Sequence, residues 1–156
     1  MANKFFNTVK ITPYQKVVKQ FWEIKRVYNN IIQSSSLNKN GFEIIMDITP
    51  SENSLTYTVK IQYHKNGFPQ VILLSPALQQ YNGNYPHHLY KRYKNGQARL
   101  CVYHPRKDKW NSNMSIATTF IPWVLTWLNT YEYWLITGEW HYDEIINETG
   151  KGKEGK

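Results

Sequence analysis

Between Phe42 and Leu74 three strand-like runs follow one another with only turn residues between them, and that succession limits what the chain can fold into. Phe42–Ile48 is apolar with acidic breaks, and Pro50–Asn53 has turn composition. Leu55–Tyr63 alternates, with Leu55, Tyr57, Val59 and Ile61 on one face. Lys65-Asn66-Gly67 is a hairpin signal, and Val71–Leu74 is stopped by Pro76. Strands joined by such short turns predict an antiparallel meander.

Helical patterns flank the meander. Thr12 can cap, Pro13 suits a first helical position and Gln15 completes a capping box. Val17, Phe21, Ile24, Tyr28 and Ile31/Ile32 then follow at helical spacing, so a helix is expected to run on until Ser34-Ser35-Ser36 and Asn40-Gly41 end it. A second stripe joins Ile116, Phe120, Trp123, Trp127, Tyr131 and Trp134, with Thr137-Gly138 as a stop. Pro122 either kinks that helix or opens its main part. Ala77–Gly96 reads as an irregular loop rich in His, Tyr and cations. The fold class expected is α+β: an N-terminal helix, a four-stranded antiparallel meander, an active-site loop and a long C-terminal helix. With 156 residues, 41% hydrophobic, one domain over 1–146 is expected, and the glycine- and lysine-rich 147–156 is expected to be a disordered basic tail.

Cys101 is the sole cysteine, on a short run, Arg99–Pro105, that reads as a further strand. It has no disulfide partner in the chain and too few companions for structural zinc, so it is either a buried small residue or a nucleophile. Alternation puts Leu100 and Val102 on one face and Arg99, Cys101 and Tyr103 on the other. The formal charge is +8, and Lys91, Arg92, Lys94, Arg99, Arg106, Lys107 and Lys109 bracket the thiol. Such cations favour thiolate over thiol. Lys91, Arg92 and Lys94 could equally hold an acidic partner tail or simply be solvated. Met1–Lys10 has no signal-peptide pattern, and Ile116–Leu128 is too short to span a bilayer, so a cytoplasmic protein without membrane contact is expected. The scattered histidines at 64, 87, 88, 104 and 141 lack metal-ligand spacing, and no metal or other cofactor is expected.

The order of elements resembles that of ubiquitin-conjugating enzymes, in which a Gly-x-x-Cys-Leu segment carries the nucleophile and a Trp follows before a helix. Gly96 precedes Leu100-Cys101-Val102 here, and Trp110-Asn111-Ser112 follows. Pro86-His87-His88-x-Tyr90, Leu100-Cys101, Pro122-Trp123-x-x-x-Trp127-Leu128, Tyr131-Glu132-x-Trp134 and Thr137-Gly138-Glu139-Trp140 more closely resemble the bacterial branch encoded in CBASS anti-phage operons. The resemblance spans about residues 13–137 and implies that Cys101 forms a thioester with the C-terminus of a cGAS/DncV-like nucleotidyltransferase, ligating or priming it. Whether a separate activating enzyme serves it stays open.

One departure matters. The eukaryotic family carries His-Pro-Asn upstream of its cysteine, where the Asn stabilises the oxyanion. Pro86-His87-His88 stands in that place here, without the Asn. His87 and His88 are the leading candidates for proton transfer, followed by Tyr90 and His104, with Tyr90, Arg92, Arg99, His104 and Trp110 expected to shape binding around the thiol. Trp110 is expected to wedge the connection against the core. A non-catalytic module that holds the nucleotidyltransferase is the alternative function. Nucleic-acid binding ranks last, because the basic residues have no aromatic platform at strand spacing.

Overall fold

The structure, a computed structural model, describes residues 9–103 and 109–141. Helix α1 (Pro13–Val27) starts as the sequence indicates. The Gln15 amide donates to Thr12 Oγ1 over 3.1 Å, and the Thr12 amide donates to Gln15 Oε1 over 2.9 Å. Its buried face is Val17, Gln20, Phe21 and Ile24. The helix is shorter than expected, however, because the Tyr28 N–H closes it on the Ile24 carbonyl and Asn29-Asn30 turn the chain. Ile31/Ile32 therefore do not extend the stripe. Residues Ile32–Asn38 form strand β1, and the serines read as a helix end lie within it.

β1 pairs antiparallel with β2 (Gly41–Ile48) through a tight turn in which Asn38 Oδ1 accepts from the amides of Asn40 and Gly41. A side chain at Gly41 would collide with the Tyr63 carbonyl, so the turn needs glycine there. β3 (Tyr57–His64) and β4 (Gln70–Ser75) continue the meander, with Asn66 at φ 64° in the connecting turn. β3 begins later than expected: Leu55 is 57% exposed and its amide donates to Glu132. The loop expected over 77–96 contains a strand, β5 (Leu89–Arg92), paired with β6 (Ala98–Leu100). The strand expected over Arg99–Pro105 thus ends at Leu100, and Cys101 lies just past it. Four expected strands become six among the described residues, in the order β1-β2-β3-β4-β6-β5. The two additions were hidden by polar content, since edge strands expose most of their side chains.

Alternation buries one sheet face: Phe42, Ile44, Met46 and Ile48; Tyr57, Val59, Ile61 and Tyr63; Val71 and Leu73; Ala98 and Leu100. Each fully buried aliphatic or aromatic side chain here contributes roughly 1.5–3 kcal/mol of burial free energy. Against this face lie α1, a π-helical turn (Ile116–Phe120) and α2 (Ile121–Thr137). Pro122, which has no N–H to give, sits in the first turn of α2, settling the two readings of it. Gly138 ends α2 at φ 78°, with its N–H on the Trp134 carbonyl.

Two polar side chains, the buried Gln20 and the half-buried Glu132, fix the layers. Gln20 donates to the Met114 carbonyl over 2.8 Å and accepts from the Ile116 amide over 2.8 Å. Glu132 of α2 accepts from Ser54 Oγ and Tyr57 Oη, each over 2.7 Å. Burial, then the Glu132 carboxylate, pushes the Tyr57 phenol far above its usual range.

A candidate thiol site at the end of the inner edge strand

Leu100 and Val102 are buried, and Cys101 between them is half-buried, as strand alternation across the segment requires. The Cys101 amide donates to the His88 carbonyl over 3.1 Å. Trp127 Nε1 donates to that same carbonyl over 3.1 Å. One backbone oxygen thus ties the thiol segment to the middle of α2. The expected Trp-rich stripe is core, as its spacing implies, and it also sets the position of the cysteine.

The β5–β6 register explains which side chain meets the thiol. Leu89 pairs with Leu100 and Lys91 with Arg99, so Tyr90 is an extra residue, a bulge in β5. Bulges re-aim side chains. Here the displaced phenol comes close enough to the Cys101 thiol for the two groups to influence one another's ionisation. Burial of the hydroxyl raises the Tyr90 pKa first, the neighbouring Cys101 raises it further, and Arg99 opposes them; the result is about 12. Tyr90 therefore stays protonated across the physiological range and acts as a hydrogen-bond donor. The Arg99 guanidinium lies 4.8 Å from the Tyr90 ring centroid and fixes the ring from one side.

Beside the thiol opens a groove of 260 Å³, lined by Phe68, Pro69, Gln70, Tyr90, Arg99, Leu100, Tyr103, Lys109 and Phe120. Tyr103 packs against Phe120 and Trp123, at 6.0 and 5.7 Å, and donates to the Pro69 carbonyl over 3.3 Å. Burial, then the charges of Tyr90 and Cys101, holds its phenol in the protonated form.

The remaining expected residues are distributed around this centre. His88 contributes its carbonyl to the thiol segment, while its ring lies on Trp140 at 5.2 Å and 33°. His87 is exposed, and its carbonyl accepts from Leu89. Arg92 stacks on Tyr85 at 3.9 Å and lines a separate depression with Lys94 and Gln97. Trp110 is buried edge-on to Tyr63 at 5.4 Å, in the core. His104 lies outside the described residues. Phe68, Lys109 and Phe120 complete the groove; sequence reasoning set Lys109 among the cations that bracket the thiol and assigned neither phenylalanine to the site. The exposed Phe68 follows a hairpin turn, and only the pairing of β4 with β6 brings it near the thiol. The arrangement sets a neutral phenol near the thiol, and that phenol also lines a groove with aromatic walls.

Residues 20–148 match the family model E2-CBASS, described as type II CBASS E2 protein. No curated protein matches the chain.

Proposed function

Since the chain belongs to the type II CBASS E2 family, and so has its role in CBASS defence, we propose that Cys101 is an acyl-carrying nucleophile. In this reading its thiolate attacks the activated C-terminal carbonyl of a cGAS/DncV-like nucleotidyltransferase. The new carbon–sulfur bond forms as the bond to the activating group breaks, leaving a thioester that an acceptor nucleophile later resolves. The Tyr90 phenol that the β5 bulge sets near the thiol is the observation that carries the reading. It donates to the thiolate and then to the oxyanion that develops at the attacked carbonyl. That assigns to Tyr90 the place of the missing Asn, ahead of His87 and His88. The α+β layers are read as the ubiquitin-conjugating fold with extra edge strands, as one domain over 1–146 in the cytoplasm with 147–156 as its tail.

The test is co-expression with the neighbouring nucleotidyltransferase, followed by electrophoresis without reductant. A covalent complex that dissolves in excess thiol and is lost in Cys101→Ala supports the assignment. The same complex from Cys101→Ala would refute it. A non-catalytic holding role predicts instead that Cys101→Ala keeps both complex and phage protection.

A further inference from the structure

No acidic residue occurs between Glu52 and Asp108, a stretch that holds the thiol together with Lys60, Lys65, Lys91, Arg92, Lys94, Arg99, Arg106 and Lys107. The sheet turns part of that charge into a pattern. Lys60 pairs with Ile72, Ile72 with Arg99, and Arg99 with Lys91, so three cations share one cross-strand row on the face away from the helices. The nearest carboxylates on that face are on β2 and are already engaged: Glu43 by Gln62, and Asp47 by Gln33 and Thr58. Arg99 is the member of the row that reaches the groove beside Cys101. Its buried Nε has no hydrogen-bond partner among the described residues. A buried N–H left without a partner is a standing cost, and a guanidinium that lines a groove favours an anion as its partner there. Lys109 adds a second cation to the groove, while Phe68, Tyr103 and Phe120 make its walls aromatic.

We propose that this groove selects the tail being transferred, binding an extended peptide that carries a carboxylate side chain on Arg99 beside an apolar side chain on the aromatic wall. The selection rests on the acyl-transfer reading of Cys101 and names the substrate class for it. Charge complementarity favours this occupant: the aromatic walls would accept any apolar residue, but only an acidic side chain also brings Arg99 a counter-charge. Affinity for such a tail is sensitive to salt, because Lys109 is exposed to solvent.

Short peptide alkyl thioesters test this directly, one carrying Asp-Phe upstream of a terminal glycine and one carrying Asn-Phe. The Cys101 sulfur bonds to the acyl carbon, the alkyl thiolate leaves, and it takes up the proton that Cys101 released. Acylation is followed by intact mass. The Asp peptide is expected to react about tenfold faster than its Asn counterpart at low salt, the scale of one charge-assisted hydrogen bond at a partly exposed site. Arg99→Gln is expected to bring the two rates within about twofold of each other, with Arg99→Lys between, since a point charge lacks the planar fork. The ratio within each variant cancels any change in thiol reactivity, and circular dichroism checks the fold. Equal rates for the two peptides with acylation still at Cys101 would overturn the selectivity and leave the acyl-transfer reading standing. Failure of both peptides to acylate Cys101 would instead remove that reading, and the selectivity with it.

Discussion

Tyr90→Phe isolates the group on which the site turns. The substitution deletes one hydroxyl and keeps the ring on which Arg99 stacks at 4.8 Å. Because Tyr90 is 52% exposed and sits in a bulge at an edge strand, its ring contributes little to the core, and the fold should be unchanged. What disappears is the hydroxyl proposed to donate to the Cys101 sulfur. Hydrogen bonds to charged partners are worth about 1.5–3 kcal/mol. Half-exposure favours the lower end, because water partly replaces the lost donor. At about 1.4 kcal/mol per decade, the acylation rate should fall about tenfold. Single-turnover acylation by a peptide thioester, read by intact mass, measures this. Tyr90→Phe acylating at the wild-type rate would show that the phenol is a bystander and reopen the role for His87 or His88.

Four further outcomes follow from the packing. Trp127→Phe removes the indole donor to the His88 carbonyl that also receives the Cys101 amide, so acylation should slow several-fold alongside a loss of about 1 kcal/mol in urea unfolding. Gln20→Leu strands the Met114 carbonyl and the Ile116 amide; chemical denaturation should show a loss of about 2–4 kcal/mol, with little loss meaning that water enters there. Gly138→Ala forces a left-handed φ of 78° on an L-residue and drives its Cβ into the Tyr81 ring, which should lower stability by roughly 1–3 kcal/mol in a thermal melt. The phenols of Tyr28, Tyr63, Tyr90 and Tyr131 are held above the ordinary 10.0, Tyr90 at about 12, chiefly by burial. The folded state then binds protons more tightly than the unfolded one, so stability is full below pH 10 and falls as pH rises towards 12. Urea midpoints that stay level through that window would contradict the assigned burial.

What the sequence made legible follows from how local each determinant is. The α1 start is written in Thr12, Pro13 and Gln15, and the structure has that capping box. The apolar alternation of β2 and β3 and the Asn66-Gly67 turn are equally local signals, as is the Gly138 stop. β1 was missed because Ser34, Ser35 and Ser36 carry no apolar period, and what makes them a strand is the edge of β2. β5 was missed for the same reason, since Tyr90, Lys91 and Arg92 read as loop until β6 pairs with them. The candidate site was half legible. Cys101 stood out as a lone thiol among cations, and strand alternation placed it on the less apolar face. Tyr90 was ranked behind two histidines because only a bulge, which no periodicity announces, sets it near the thiol. Phe68, Lys109 and Phe120 come from three separate parts of the chain, and only the tertiary arrangement makes them one groove.

The central claim is covalent attachment at one sulfur, and mass-spectrometric mapping of the complex purified with its nucleotidyltransferase tests it most directly. The account predicts a mass equal to the sum of the two chains less one water, a cross-linked peptide joining the partner's C-terminal residue to Cys101, and release by hydroxylamine. A cross-link mapped to a lysine of this chain, or an adduct of the same mass in Cys101→Ala, would contradict it.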